Sequence, residues 1–152
     1  MKKLKTILLV DDDIDDRSVL SEIIHEINPT LRCITAFDGV DALHKLKESQ
    51  CSPDLIFLDI NMPRLSGKQC LYKIKNTPGI SSIPVVMFST TTLQKDRVES
   101  MEMGAAAFMS KPSHWQDLKE AIMNVLETQL FKTISDKSAV DNSEILPSGS
   151  CL

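Results

Sequence analysis

The sequence predicts an α/β domain built on a parallel sheet with helices on both faces. Short, mainly apolar runs alternate five times with segments whose apolar residues recur every three or four positions. Strands of a parallel sheet are buried on both faces and are therefore apolar throughout, whereas the helices that cover them are apolar on one side. Regular alternation of the two element types is typical of this fold class.

Each element is bounded by residues that start or stop regular structure. The strands are predicted at residues 6–10, 31–37, 55–58, 85–88 and 106–109. The helices are predicted at residues 14–27, between 39 and 52, between 66 and 77, at 93–103 and at 115–130. Asn28-Pro29 and Ser52-Pro53 stop the first two helices, and Ser66 is placed to cap the third. The residues predicted to face inward from the second helix are Val40, Leu43 and Leu46.

Size and composition narrow the class of protein. The chain has 152 residues, of which 42% are hydrophobic and 25% charged, as expected for one soluble domain with a tail. The net charge of −4 argues against direct binding of nucleic acid. No apolar stretch approaches the roughly 20 residues of a membrane span, and no signal peptide is evident, so we expect a cytoplasmic protein. The four cysteines have neither zinc nor redox spacing.

Polar side chains follow four of the five predicted strands, at the point where each strand ends. Asp11 and Asp12 follow the first strand, Asp59 the third, Ser89 the fourth and Lys111 the fifth. The carboxyl ends of parallel strands meet at one edge of the sheet, so these side chains are expected to converge. Clustered carboxylates repel one another, and the sequence therefore predicts a cation between them.

Four motifs, taken in this order, resemble the receiver domain of bacterial two-component response regulators. The resemblance covers about residues 6–130 and is strongest to single-domain regulators of the chemotaxis type. The motifs are Leu9-Val10-Asp11-Asp12-Asp13, residues 57–67 from Phe57 to Gly67, Phe88-Ser89-Thr90, and Phe108-Met109-Ser110-Lys111-Pro112. The resemblance implies a doubly wound, flavodoxin-like (βα)5 fold with strand order 2-1-3-4-5.

The resemblance also implies a metal site and a modified residue. Asp59 looks like the phosphoryl acceptor, and Asp12, Asp59 and the backbone carbonyl of Asn61 are similar to the family's metal ligands. Asp11 would act through water. Hard oxygen donors favour Mg²⁺, with Mn²⁺ as the alternative.

The remaining motif residues correspond to the family's phosphoryl contacts and its switch. By resemblance, Lys111 pairs with a phosphoryl oxygen, and the Lys111–Pro112 peptide bond is cis. Ser89 donates its hydroxyl to the phosphoryl group and moves inward, and Phe108 occupies the space that is vacated behind it.

By resemblance the protein is a stand-alone phosphorylation switch and not a turnover enzyme, catalysing only its own phosphorylation and slow dephosphorylation. The donor would be a sensor histidine kinase, including the phytochrome type, or a histidine phosphotransfer protein. Output would pass through helix 4, strand 5 and helix 5 to a protein target, with no nucleic acid and no membrane as partner. We expect the receiver domain at residues 1–131 and a flexible tail without an output domain at 132–152. Monomer and homodimer are both left open.

Three other interpretations compete with this one. Asp13, like any aspartate before a helix, could simply cap it. Asp11 and Asp13 also match the Asp-x-Asp motif of haloacid-dehalogenase phosphohydrolases, as nucleophile and acid, although no downstream acidic pair or cap insertion is evident. The third interpretation is a receiver-like interaction module that has lost the ability to accept a phosphoryl group. It is disfavoured because the acidic, hydroxyl and lysine positions of the motifs are all occupied by those residue types.

Overall fold

The computed structural model describes residues 3–48, 51–90 and 93–138, and it describes the side chains of the last helix as far as residue 128. The strands are β1 (Thr6–Val10), β2 (Arg32–Ala36), β3 (Leu55–Asp59), β4 (Val85–Ser89) and β5 (Ala107–Ser110). The helices are α1 (Ile14–Ile27), α2 (Gly39–Lys47), α3 (Gly67–Lys75), α4 (Gln94–Glu102) and α5 (Trp115–Ser138). Strands and helices alternate five times, as the sequence predicts.

The five strands form one parallel sheet in the order β2-β1-β3-β4-β5, which confirms the predicted fold class. Val10 lies opposite Ala36 on one side and Leu58 on the other, and Ser89 lies opposite Ser110. The carboxyl ends of the strands are therefore level along one edge. The chain reverses its direction of travel across the sheet between β1 and β3, which is where α/β sheets form their ligand crevices.

The core has two layers because alternate strand residues point to opposite faces of the sheet. Leu8 and Val10 belong to the layer that α2 and α3 cover, with Ile74 at its centre. Ile7 and Leu9 belong to the layer that α1 and α5 cover. Burial on both faces explains why the strands contain few polar residues before their carboxyl ends.

Three helices begin at residues whose side chains accept hydrogen bonds from the first turn. Asp13 caps α1, as in the alternative interpretation of this residue as a helix cap and not a catalytic group. Asp38 caps α2 by accepting from the backbone of Asp41 at 2.8 Å. Ser66 caps α3 as predicted, in a reciprocal pair with Gln69. These caps fix the residues at which α1, α2 and α3 begin, next to the carboxyl edge of the sheet.

The prediction that Val40 faces the sheet is wrong. Val40 is 53% exposed, and the buried residues of α2 are Gly39, Ala42 and Leu46. These three residues are spaced three and four apart and form one face of the helix, whereas Val40 is turned about 100° away from Gly39. Leu43 is half-buried against the core layer under α2 and α3, and Leu46 is buried, so both face inward as predicted.

Helix α5 continues to Ser138, past the end predicted at residue 130. The polar residues after 131 indicated a tail, but they include neither glycine nor proline before Pro147. Polar residues cost a helix only about 0.7 kcal/mol each or less, so polarity alone does not end one. Residues 139–152, where the rest of the predicted tail falls, lie outside the described residues. No helix in the described part of the chain combines the length and apolarity that a bilayer span requires.

Candidate functional site

Three carboxylates that are distant in sequence meet at the carboxyl edge of the sheet. Asp11 and Asp12 follow β1, and Asp59 is the last residue of β3. One oxygen from each of the three lies within 4.8 Å of the other two. Asp11 and Asp59 are buried and Asp12 is exposed, so the cluster is open to solvent on one side.

Asp11 is held by both its backbone and its side chain. Its amide donates to the carbonyl of Ala36 at 3.2 Å, and its carbonyl accepts from Arg17 Nη1 at 2.6 Å. Its Oδ1 accepts from the amide of Asp13 at 3.0 Å. The carboxylate is therefore fixed at the strand end.

The end of β3 lies directly against the start of α3. The amide of Gly67 donates to the carbonyl of Ile60 at 2.8 Å. A Cβ atom at position 67 would lie 2.1 Å from the carbonyl oxygen of Asp59 and 2.6 Å from the Cα of Ile60. Only glycine permits this close approach between the end of β3 and the start of α3.

Lys111 brings a positive charge to the three carboxylates from the end of β5. Its Nζ is 2.9 Å from Asp11 Oδ2, 3.0 Å from Asp16 Oδ2 and 3.7 Å from Asp59 Oδ1. The ammonium also lies 4.7 Å from the centroid of the Phe88 ring. The predicted convergence of acids and lysine is therefore present, with Asp16 as an unpredicted member.

Burial and charge oppose each other at Asp59. Burial raises the pKa of Asp59 to about 7, the Lys111 ammonium lowers it, and the charges of Asp11 and Asp12 raise it again. Burial acts to lower the pKa of Lys111, but the hydrogen bonds to Asp11 and Asp16 and the charge of Asp59 outweigh it, and the net shift is upward. Lys111 is thus a cation at neutral pH, and Asp59 holds its proton unusually tightly.

The remaining predicted residues lie around the same edge. Ser89 is buried at the end of β4, and its Oγ accepts from Asn61 Nδ2 at 3.3 Å. Phe108 is 5% exposed and packs inward in the layer under α2 and α3. The guanidinium carbon of Arg97 lies 5.1 Å from the centroid of the Phe108 ring. An arginine of α4 thus covers the aromatic ring of β5.

The Lys111–Pro112 peptide bond is trans, and the prediction of a cis bond is wrong. No cis peptide bond occurs in the described residues. The trans form is the favoured one for bonds that precede proline, by about 0.5–1 kcal/mol. The trans chain still delivers the Lys111 ammonium to Asp11 at 2.9 Å.

Two interactions near the edge were not predicted from the sequence. Asp16 contacts Lys111 across 95 positions of the chain, and the dense run of aspartates at the start of α1 is the only signal that could have indicated it. Buried Asp38 forms an ion pair with Arg64, which has a positive φ of 65° in the loop after β3. No sequence signal connects these two loop residues.

Residues 7–123 match the family described as the response regulator receiver domain. The chain belongs to this family. Receiver domains of response regulators work in two-component signalling, where they interact with kinases and downstream targets, and they typically bind a divalent metal.

Two curated proteins show the range of relatives. The probable transcriptional regulator ycf29 of Pyropia yezoensis is 32% identical over 142 residues, which cover 91% of this chain and 61% of ycf29. The response regulator Rcp1 of Synechocystis sp. is 29% identical over 126 residues, which cover 80% of this chain and 86% of Rcp1. The receiver chain thus spans less than two thirds of ycf29 and most of Rcp1.

Solved structures share the same architecture. The phosphorylated cyanobacterial phytochrome response regulator RcpA superposes with a TM-score of 0.77 at 28% identity, over 96% of this chain and 100% of the RcpA chain. The Mn²⁺-bound form of Rcp1 superposes with a TM-score of 0.71 at 28% identity, over 80% of this chain and 91% of the Rcp1 chain.

Proposed function

We propose that the protein is a phosphorylation switch that accepts a phosphoryl group on Asp59 in the presence of Mg²⁺. The observation that carries the proposal is the meeting of three carboxylates and one ammonium at a single edge of the sheet. Repulsion between the carboxylates favours a bound cation, and the ammonium suits the anionic group that would be transferred.

The three carboxylates fit a divalent cation of the magnesium type. All donors are hard oxygens, and oxygens within 4.8 Å of one another need to close only slightly, to about 4.2 Å or less, to surround one ion at about 2.1 Å each. We assign Asp12, Asp59 and the carbonyl of Asn61 as ligands, and Asp11 as a partner through water. When bound, the cation neutralises charge on the oxygens of the transferred group. The Mn²⁺-bound form of Rcp1 supports Mn²⁺ as an alternative occupant.

Phosphoryl transfer would proceed from a phosphohistidine on the donor protein. A carboxylate oxygen of Asp59 forms a bond to phosphorus while the bond from phosphorus to the imidazole nitrogen breaks, and the leaving imidazole takes a proton from solvent. The acceptor must be ionised, which the Lys111 ammonium at 3.7 Å favours. Lys111 and the Ser89 hydroxyl would then hold the phosphoryl oxygens.

The switch would run from Ser89 to the surface formed by α4, β5 and α5. Movement of Ser89 toward the phosphoryl group would end its contact with Asn61 and open space for Phe108. Phe108 would carry Arg97 with it, since the two side chains are stacked. The change would therefore reach α4, where a protein target would sense it.

The donor that we propose is a sensor histidine kinase, of the phytochrome type or another, or a histidine phosphotransfer protein. The architecture shared with RcpA supports the phytochrome type. We propose that the receiver acts in the cytoplasm, with residues 1–131 as its receiver domain. The division at residue 131 and the role of residues 132–152 stay predictions.

The phosphohydrolase interpretation is disfavoured by the position of Asp13. Its Oδ1 accepts hydrogen bonds from the amides of Asp15 at 2.8 Å and Asp16 at 3.3 Å. A carboxylate committed to capping α1 is poorly placed to act as the acid that this chemistry requires.

The proposal is tested by incubating the protein with acetyl phosphate and Mg²⁺ and measuring intact mass. We expect at most one phosphoryl group per chain, located on Asp59 and absent from Asp59→Asn or in excess EDTA. Sustained hydrolysis of para-nitrophenyl phosphate by both the wild type and Asp59→Asn would instead support the phosphohydrolase interpretation. Asp15→Asn is the matched control, because it removes one exposed carboxylate outside the cluster.

A further inference from the structure

A fourth carboxylate, which the proposed function does not use, contacts the lysine of the site. Lys111 Nζ is 3.0 Å from Asp16 Oδ2, nearly as close as the 2.9 Å to Asp11 Oδ2, whereas Asp59 Oδ1 is 3.7 Å away. The ammonium is therefore hydrogen-bonded to Asp11 and Asp16 and lies beyond hydrogen-bond distance from Asp59.

Asp16 reaches the site only through Lys111. It is not one of the three residues whose oxygens lie close enough to share a cation. Its side chain is 45% exposed, whereas that of Asp11 is 1% exposed. The first turn of α1 sets its position, because its amide is held by the Asp13 carboxylate at 3.3 Å.

We propose that Asp16 is a positioning residue that holds the Lys111 ammonium away from Asp59 until a phosphoryl group takes it over. This inference rests on the proposed function. It adds that the Asp16 carboxylate competes with the phosphoryl group for the Lys111 ammonium. With a divalent cation bound, that ion and Lys111 together balance the charges of Asp11, Asp12 and Asp59. Asp16 holds the ammonium that completes this balance, so an incoming anion must displace the Asp16 carboxylate from Lys111.

Asp15 shows that the contact is not a general property of the helix start. It lies in the same first turn, it is exposed, and its amide is held by the same Asp13 carboxylate at 2.8 Å. Among the described residues, Lys111 forms ion pairs with Asp11, Asp16 and Asp59 and not with Asp15. Asp15→Asn therefore removes the same charge from the same turn without freeing Lys111.

The first test is the affinity for beryllofluoride, a phosphoryl mimic, measured by NMR titration in the presence of saturating Mg²⁺. We expect Asp16→Asn to bind it about three- to tenfold more tightly than the wild type, as loss of a half-exposed ionic competitor would give. We expect Asp15→Asn to change the affinity by less than about twofold. Unchanged or weaker binding by Asp16→Asn would overturn the inference, and so would an equal gain by Asp15→Asn.

A double-mutant cycle shows whether Asp16 acts through Lys111. In a Lys111→Met background the substitution Asp16→Asn should no longer improve binding, because the ammonium that it releases is absent. A gain that persists in that background would assign the effect to the charge of α1 in general and would contradict the proposed role.

A crystal structure of Asp16→Asn without any phosphoryl mimic keeps this inference separate from the proposed function. We expect Lys111 Nζ to move from 3.7 Å to hydrogen-bond distance of Asp59. An ammonium that stays in place would overturn the role of Asp16, whatever the outcome of labelling. Failure of the wild type to accept a phosphoryl group would overturn the proposed function, whatever the position of Lys111.

Discussion

Asp59 is the residue at which burial and charge oppose each other most directly. Its carboxyl lies in a buried position beside Asp11, and burial raises its pKa from 3.8 to about 7. In the unfolded chain the same group ionises near its ordinary value. The folded protein without cation therefore binds a proton at Asp59 that the unfolded chain has released, at any pH between about 4 and 7.

The sign of the resulting pH dependence follows from this difference. The stability that the Asp59 proton contributes is complete below pH 4 and is lost as the pH rises toward 7. We expect the free energy of unfolding of the wild type in EDTA to fall, relative to Asp59→Asn, by on the order of 4 kcal/mol between pH 4 and pH 8. Urea unfolding at several pH values measures the difference. Asp15→Asn should run parallel to the wild type, and a parallel curve for Asp59→Asn would contradict the account.

Residue positions were predictable where a strand end placed them. Asp11, Asp12, Asp59 and Lys111 each follow an apolar run, and parallel strands bring such residues to one edge whatever their separation in sequence. Asp16 lies on a helix, where its direction depends on how α1 packs. No local pattern specifies that packing, so its contact with Lys111 could only be found in three dimensions.

At the scale of the elements, the junction between β3 and α3 places the strongest constraint on the site. A Cβ at Gly67 meets backbone atoms at 2.1 and 2.6 Å, whereas a Cβ at Gly39 meets only the side chain of Leu65, at 2.9 Å. Backbone cannot give way without moving the strand end that carries Asp59, but a leucine side chain can change its rotamer.

Gly67→Ala is therefore expected to lower the free energy of unfolding by about 3 kcal/mol or more, through overpacking against β3. Gly39→Ala should cost about 1 kcal/mol or less, because a helical alanine offsets part of the clash. Urea unfolding compares the two variants directly. Equal losses would mean that the loop after Asp59 tolerates an outward shift of α3.

Helix α4 is weakly secured by apolar packing. Its N-cap makes no side-chain hydrogen bond, and Ser100 is its one buried residue. Lys68 of α3 holds it through Asp96 at 2.5 Å and Glu99 at 2.6 Å. An element held by ion pairs more than by core contacts is suited to move when the site changes.

Lys68→Met should accordingly increase amide hydrogen exchange in α4 several-fold while changing global stability by only about 1 kcal/mol. Hydrogen exchange followed by mass spectrometry measures both effects. Lys95→Met is the matched control, since Lys95 pairs with Glu99 at 3.9 Å and is 78% exposed. Exchange in α4 that does not differ between the two variants would show that Lys68 does not restrain the helix.

The existence and order of the elements were predictable, but some of their boundaries and faces were not. Apolar runs identified β1, β3, β4 and β5 because burial on both faces leaves a continuous signal, whereas the edge strand β2 also carries exposed Arg32 and Thr35. Helix α5 extends beyond its predicted end. Its polar residues are typical of a tail in composition, but polar residues do not by themselves end a helix. In the short helix α2, Val40 was assigned to the core because nine residues define a face poorly.

At the scale of the whole molecule, the location of the site follows from the strand order. β1 and β3 are neighbours in the sheet although β2 lies between them in sequence, so Asp11 and Asp59 lie next to each other. β5 is two strands away from β3, and only a side chain as long as Lys111 reaches across β4. The same order would give any family member a crevice at this edge, and the residues at the strand ends determine what it binds.

The claim on which this account depends is that Asp12 and Asp59 share one divalent cation beside the acceptor oxygen. Anomalous diffraction from crystals grown with Mn²⁺ measures this most directly. We predict a single strong peak within about 2.2 Å of a carboxylate oxygen from each residue, and its loss in Asp12→Asn. A peak located elsewhere, or no peak at saturating Mn²⁺, would contradict the account.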